Sequence, residues 1–179
     1  MKVFGKNVSD YIKFERRFLI LILVVGLARL GLSLLGVANS VDKFLSLSVL
    51  GIIGLLYYSV RVYTSGFGGY KQLLPVLWLQ WLVSQSIVVA GIVIAIAMSK
   101  DNIFSTPEYS PSARRHLEVA DGRTWAHAEA HLILGIVILP LVSWLIGSLI
   151  MFVTKKIAST SKKEAGVAGR KISPTAYQR

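Results

Sequence analysis

One arginine, Arg29, interrupts the apolar run formed by residues 18–38. A helix rises about 1.5 Å per residue, so this position lies roughly 16 Å into the run, near the middle of a hydrocarbon core about 30 Å thick. A charge at that depth costs at least about 3 kcal/mol on insertion scales, so its side chain must face protein, water or a ligand. The guanidinium is a fixed fork of donors, which suits an anionic or carbonyl-bearing ligand such as a lipid phosphate or a quinone.

Polar side chains at a similar predicted depth occur in the other apolar runs. They are Tyr57 or Tyr58 in the second run, Ser84, Gln85 and Ser86 in the third, and Ser143 in the fourth, with Ser33 one turn beyond Arg29. Successive residues are about 100° apart on a helix, so the three in the third run cannot all face one neighbour, and Gln85 loses most by facing lipid. We therefore predict a ligand-binding layer made of Arg29, Tyr57, Tyr58, Ser84, Gln85 and Ser143.

Two other interpretations of this layer remain open. No Asp or Glu lies within the four apolar runs, so this chain is expected to offer Arg29 no carboxylate at its own depth. The polar groups can instead satisfy one another and the helix carbonyls as a structural cluster, or Arg29 can pair with an acid on a partner subunit. The partners we expect are membrane lipids and either other membrane subunits or further copies of the chain.

A second pattern that could do chemistry is the segment 125–131, which reads Trp-Ala-His-Ala-Glu-Ala-His. His127 and His131 are four residues apart, so on a helix their rings lie on one face and can hold one metal ion. Glu129 lies on the other side, which excludes the zinc-protease arrangement. His116 in the preceding loop is our third candidate ligand, with nearby acids such as Asp101 as further candidates. The alternative is a pair of interfacial histidines that titrate between about pH 5 and 8.

Four apolar runs must position these side chains: residues 18–38, 44–60, 73–98 and 132–153. Each is long enough to cross a hydrocarbon core as a helix, and none alternates as a barrel strand would. Hydrophobic side chains make up 54% of the chain and charged ones 16%, which excludes an ordinary soluble domain. We predict an all-α, polytopic integral membrane protein with four transmembrane helices. Pro140 lies inside the fourth run and predicts a kink there.

The lysines and arginines orient the chain. Most of the 20 lie before the first run, between the second and third runs, and in the tail. The positive-inside rule then places both termini in the cytoplasm, with one longer extracytoplasmic loop at residues 99–131. The expected parts are a cytoplasmic or interfacial segment (residues 1–17), a four-helix transmembrane domain (18–153) and a basic, flexible cytoplasmic tail (154–179). Residues 4–12 have the spacing of a short interfacial helix, with a frayed terminus as the alternative.

Several function classes are disfavoured by what the sequence lacks. The net charge of +11 is mainly a topology signal, so we expect no nucleic acid as a partner. The absence of cysteine excludes thiolate metal sites, iron–sulfur clusters and thiol nucleophiles. No nucleophile with its base, phosphate loop or pair of membrane carboxylates is recognisable.

The main hypothesis is therefore an accessory or lipid-binding module that associates with other membrane components. A bacterial inner membrane is the preferred location. The alternatives are a metal- or haem-dependent membrane enzyme or sensor that uses the histidines, and a small oligomeric transporter. The sequence identifies no cofactor and leaves enzymatic activity undecided.

Overall fold

The computed structural model describes residues 1–37, 46–106 and 122–170. Its elements in chain order are β1 (Lys2–Val3), β2 (Lys6–Asn7), α1 (Val8–Leu34), α2 (Leu47–Thr64), α3 (Tyr70–Met98), α4 (Trp125–Ile133), a π-helical segment (Leu134–Ile138) and α5 (Leu139–Arg170). Within the described ranges, four helical stretches are long and apolar enough to cross a membrane, and α4, the π segment and α5 together form the fourth. The predicted all-α class with four transmembrane helices is confirmed.

The bundle has two ends, which we name by what they carry. The terminal end carries the N-terminal hairpin, the link between α2 and α3, and the part of α5 near Lys155. There Gln72 Nε2 donates to Phe4 O at 2.9 Å, and Lys155 Nζ lies 3.9 Å from the ring centroid of Tyr70. The loop end carries the end of α1, the start of α2, the end of α3 and the start of α4.

The N-terminus forms a hairpin in place of the predicted interfacial helix. β1 and β2 pair antiparallel through a turn at Phe4 and Gly5, whose φ angles are +47° and +85°. Asn7 then caps α1, and its backbone N–H donates to Asp10 Oδ2 at 2.9 Å, so the helix begins well before the apolar run. Glu15 therefore lies inside α1, which corrects the expectation that no acid lies within a spanning helix.

Helix α3 is the centre of the bundle and packs against α1, α2 and the last helix. Small residues let its neighbours come close: a Cβ at Gly147 of α5 would lie 2.5 Å from Ser59 Oγ and 3.0 Å from Leu73 Cδ2. One apolar cluster, which includes Ile92, fills the loop half, and a second, which includes Val62, fills the terminal half. The polar side chains described below lie between and beside these clusters.

The last helix contains its π-helical segment directly before Pro140. Directly after that segment, the N–H of Leu139 donates to the carbonyl of Leu134, five residues earlier. Pro140 has no N–H, so the carbonyl of Ile136 loses its ordinary helical donor. Trp78 Nε1 of α3 donates to that oxygen at 3.0 Å. The sequence predicted an irregularity at Pro140, and the structure has a π-helical segment there. The carbonyl oxygen that lacks its helical donor is hydrogen-bonded by the neighbouring helix.

The first part of the predicted extramembrane loop packs into the bundle. Residues 102–105, which we call the inserted segment, are buried. Asn102 Nδ2 donates to Gly91 O at 2.7 Å, and Ile103 N–H donates to Ser33 Oγ at 2.8 Å. Ser33 therefore holds the inserted segment instead of joining a layer around Arg29.

Helix α5 continues far beyond the apolar run and ends at Arg170. Much of the segment predicted as a flexible tail is therefore helical. Thr160 Oγ1 donates to Lys156 O at 3.1 Å within this extension. Residues 171–179 lie outside the described residues.

Candidate functional site

The predicted layer around Arg29 and the predicted histidine pair meet in one place. Arg29, Ser84 and Gln85 line a cavity of about 220 Å³ together with His127 and His131. Arg29 comes from the last turns of α1, Ser84 and Gln85 from the middle of α3, and the histidines from α4. Two sites that were expected to be separate are a single site, which we call the loop-end cavity.

Arg29 is almost wholly enclosed, with 3% of its surface exposed. Its guanidinium carbon lies 5.6 Å from the ring centroid of Phe104 in the inserted segment, and a cation over an aromatic face is stabilised electrostatically. Phe104 also packs on Gly91 of α3, where a Cβ would crowd the ring. The inserted segment therefore closes the loop end over Arg29.

His131 is oriented by Gln85. Its Nδ1 lies 2.8 Å from Gln85 Oε1, so the neutral ring carries its proton on Nδ1 and keeps a lone pair on Nε2. Gly135 makes this contact possible, because a Cβ there would overlap the Gln85 side chain. Since Gly135 belongs to the π segment, the local widening of the last helix is part of the site.

His127 is held in the same way by the backbone. Its Nδ1 lies 2.7 Å from the carbonyl oxygen of Gly122, so this ring also carries its proton on Nδ1 when neutral. Gly122 is pressed against the carbonyl of Ser105, where a Cβ would overlap backbone atoms. The rings of His127 and His131 have centroids 4.9 Å apart and planes tilted by 48°. Both histidines therefore keep Nε2 for another partner.

A larger cavity of about 690 Å³ extends between α2 and the last helix. It shares five lining residues with the loop-end cavity: Ser48, Trp81, Gln85, His127 and His131. Apart from these and Ser143, its wall consists of glycine, alanine and aliphatic side chains. Ser143 Oγ accepts a hydrogen bond from Trp81 Nε1 at 2.9 Å. We call this cavity the groove; it begins at the polar site and continues along apolar helix faces.

Tyr57 and Tyr58 do not join this site, which corrects their expected place in the layer. Tyr57 is exposed, and its hydroxyl accepts a hydrogen bond from Arg61 Nη1. Tyr58 is buried, with its ring edge-on to Phe14 and Phe18 of α1. The reason is register: Arg29 lies near the loop end of α1, at the level of the start of α2, about three helical turns from the tyrosines.

His116, the third predicted metal ligand, lies outside the described residues. Asp101 is engaged elsewhere, with its Oδ1 3.4 Å from Arg123 Nε and 3.2 Å from Ser105 Oγ. The part of the chain that the structure describes contains no group of three His, Cys, Asp or Glu arranged to hold a metal ion. The predicted metal site is therefore represented by His127 and His131.

Three residues of the site carry little signal in the sequence. The strongest of these weak signals is Trp81, because an indole N–H inside a membrane protein needs an acceptor. In the structure Trp81 lines both cavities. Phe104 lies in a stretch without helical or strand periodicity. Gly135 resembles any small residue of a transmembrane helix, and only the approach of Gln85 distinguishes it.

The charged and titratable side chains of the site carry nitrogen groups. Among the described residues, the lining of the two cavities includes Arg29 and two histidines but neither Asp nor Glu. Such groups can donate hydrogen bonds to a negative or carbonyl oxygen of a ligand.

No protein-family model matches the chain, and no curated protein or solved structure is detectably similar to it.

In the variant Gln85→Leu, the neutral ring of His131 is expected to carry its proton on either nitrogen, whereas the tautomer of His127 should stay unchanged. The variant removes the oxygen that holds the proton on His131 Nδ1, whereas Gly122 O still faces His127. Nitrogen-15 NMR of histidine-labelled protein at alkaline pH reports which ring nitrogen carries the proton. The matched control is Ser86→Ala on the same helix, because Ser86 is exposed and donates to Leu82 O. An unaltered His131 signal in Gln85→Leu contradicts the assigned contact.

Proposed function

We propose that this protein is a membrane-embedded binding module for an amphiphile whose head is anionic or carries carbonyl oxygens. One observation carries this function: a buried arginine and two partly buried histidines line a polar cavity that opens into an apolar groove. Among the described residues neither histidine ring is hydrogen-bonded to a hydroxyl group, which favours binding over nucleophilic chemistry. Such a module acts as an accessory to other components of the same membrane.

The head of the amphiphile is assigned to the loop-end cavity. Arg29 supplies a charge and a planar set of donors, which match phosphate oxygens or a quinone carbonyl. His127 and His131 present Nε2, which accepts a hydrogen bond when the ring is neutral and donates one when it is protonated. The site can therefore pair with a ligand oxygen in either protonation state of the ligand.

The tail of the amphiphile is assigned to the groove. The groove volume of about 690 Å³ falls within the range of ordinary small-molecule sites, roughly 300–1,000 Å³. Its aliphatic wall matches a hydrocarbon chain in polarity. An apolar tail gains little by leaving lipid for an apolar groove, so the contacts of the head decide which ligand is selected.

A metal ion bound by the histidine pair is the second candidate, and one specific observation favours it. Each Nδ1 is fixed by an oxygen acceptor, which is how ligating histidines are oriented while Nε2 binds the metal. His116 is the candidate third ligand. The described residues bring together two of the three candidate ligands and no group of three, so metal binding is the second candidate.

We place the protein in a bacterial inner membrane with the terminal end in the cytoplasm. The orientation is supported by the excess of lysine and arginine at the terminal end, which includes Lys2, Lys6, Lys71 and Lys155, whereas the bacterial inner membrane is a preference based on the small size of the protein. The loop-end cavity then lies on the extracytoplasmic side of the bilayer.

Replacement of Arg29 by leucine is expected to weaken binding of an anionic amphiphile about 10- to 100-fold, the equivalent of about 1.5–3 kcal/mol of charge-assisted hydrogen bonding. Native mass spectrometry of the solubilised protein, titrated with phosphatidylglycerol, phosphatidylcholine or a short-chain quinone, measures the affinity and separates the ligand sources.

Two controls make this experiment specific. Arg17→Leu removes an exposed arginine from the same helix and should leave the affinity unchanged. Ala130→Trp fills the groove without altering charge and should also reduce binding. Equal affinities in Arg29→Leu and the wild type would exclude the proposed head site.

If the histidine pair binds a metal ion, we expect about one zinc ion per chain. This zinc should be lost in His131→Ala and in His116→Ala. Elemental analysis of protein purified with added zinc measures the content. The exposed Glu129 lies on α4 outside the lining of both cavities, so Glu129→Gln should keep the metal and serves as the control. A zinc content no higher than background in the folded wild-type protein would exclude the proposed metal site.

The orientation can be measured directly because the chain contains no cysteine. A single cysteine introduced as Lys100→Cys should react with a membrane-impermeant maleimide on intact cells, because Lys100 is exposed at the loop end. Thr160→Cys should react only after the membrane is opened. The reverse pattern would invert the proposed topology.

A further inference from the structure

A carboxyl group is enclosed in the terminal half of the bundle, far from the proposed ligand site. Glu15 of α1 has 0% of its surface exposed. Gln80 Nε2 of α3 donates to Glu15 Oε2 at 3.0 Å. Within the part of the chain that the structure describes, Glu15 Oε1 has no hydrogen-bond partner.

This surrounding does not support a carboxylate anion. A buried ionised carboxylate requires a cation or several donors, whereas Glu15 receives one hydrogen bond from a neutral amide. Addition of a proton to Oε1 removes the charge and the associated cost of burial. The geometry therefore favours the neutral acid whenever the helices are packed.

The groups that surround Glu15 come from three helices. Tyr58 of α2 packs between Phe14 and Phe18, which stand directly before Glu15 and one turn after it on α1. On α3 the facing group is the neutral amide of Gln80. Two cations lie near this region: the guanidinium of Arg61 of α2 is 5.3 Å from the ring centroid of Phe14, and Lys6 Nζ is 4.5 Å from that of Phe67, which stacks on Phe14.

Further titratable and charged side chains lie on α1 around this position. Tyr11 stands one turn before Glu15, and its hydroxyl donates to Val3 O at 2.9 Å. Lys13, Arg16 and Arg17 are exposed and directed away from the buried face.

A proton is the ligand that fits here, because it needs no volume. Glu15 lines neither the loop-end cavity nor the groove. Gly54 allows α2 to close over the pair, and a Cβ there would overlap Gln80 Oε1 and the ring of Phe18. The close packing excludes a hydrated metal ion or an organic molecule. Glu15 is also about 10 Å along α1 from Val8, a short distance from water at the terminal end.

We propose that Glu15 is a proton-binding site: its carboxyl binds one proton when α1, α2 and α3 are packed and exchanges it with water at the terminal end. Protonation then stabilises the packing of these three helices, and loss of the proton loosens it. This site is separate from the loop-end cavity, since Glu15 and Arg29 are about 21 Å apart along α1.

Infrared spectroscopy of the full-length protein in lipid vesicles tests the proposal. At pH 7 the wild type should show a carbonyl band of a protonated carboxylic acid, and Glu15→Gln should lack it. Glu129→Gln is the matched control, because Glu129 is exposed, and it should keep the band. The band should disappear reversibly as the pH is raised while circular dichroism shows an unchanged helix content.

Two results would overturn the proposal. Absence of the band from the wild type at pH 7 means that Glu15 is ionised in the packed state. A band that persists until the helices unfold means that the proton is not exchanged.

Thermal unfolding provides a second readout that does not depend on assignment of the band. Unfolding exposes Glu15 and releases its proton, so the unfolding equilibrium constant of the wild type should rise with pH. The rise should exceed that of Glu15→Gln by a factor of up to about ten for each pH unit. Identical pH dependence of the two proteins would show that no proton is bound at Glu15. Gln is similar in shape to the neutral acid, so the variant is expected to fold.

Discussion

A polar side chain in the hydrocarbon region must find its hydrogen-bond partner within the protein, and in this bundle that requirement is concentrated on α3. Within six residues, Gln80 bonds to α1, Trp81 to α5 and Gln85 to α4. Because these bonds reach α1 and two separate parts of the last spanning helix, α3 cannot rotate or slide without leaving several buried groups unsatisfied. The helix register, and with it both cavities, depends on these bonds.

The apolar runs were sufficient to predict the number and type of the helices, because crossing a hydrocarbon core sets a minimum length. Arg29 and Gln85 could be predicted as residues of the candidate site because each is costly to expose to lipid. Trp81, Phe104 and Gly135 could not be identified in the same way. The start of α1 is set by a hairpin and a cap, and this shifts the level of Arg29 away from Tyr57 and Tyr58. The insertion of Phe104 depends on contacts between distant segments, which have no periodicity in the sequence.

Helix α1 carries the carboxyl group of Glu15 in its terminal half and the guanidinium of Arg29 in its loop half, with an apolar stretch between them. Leu19 and Ile22 are buried in this stretch, and Gly26 packs closely against Ile87 of α3. The stretch keeps the two polar groups apart, so Glu15 and Arg29 do not neutralise each other. Two polar centres of different chemistry can therefore exist in one small bundle, each completed by a different part of α3.

For the amphiphile proposed above, the inserted segment limits the routes by which the molecule can reach the loop-end cavity. Phe104 and its neighbours cover the loop end above Arg29, whereas the groove opens along the side of the bundle between α2 and the last helix. A molecule that enters through the groove diffuses in the plane of the bilayer and never needs to cross bulk water. Occupancy is then governed by the mole fraction of the ligand among the membrane lipids and by competition from those lipids, not by an aqueous concentration.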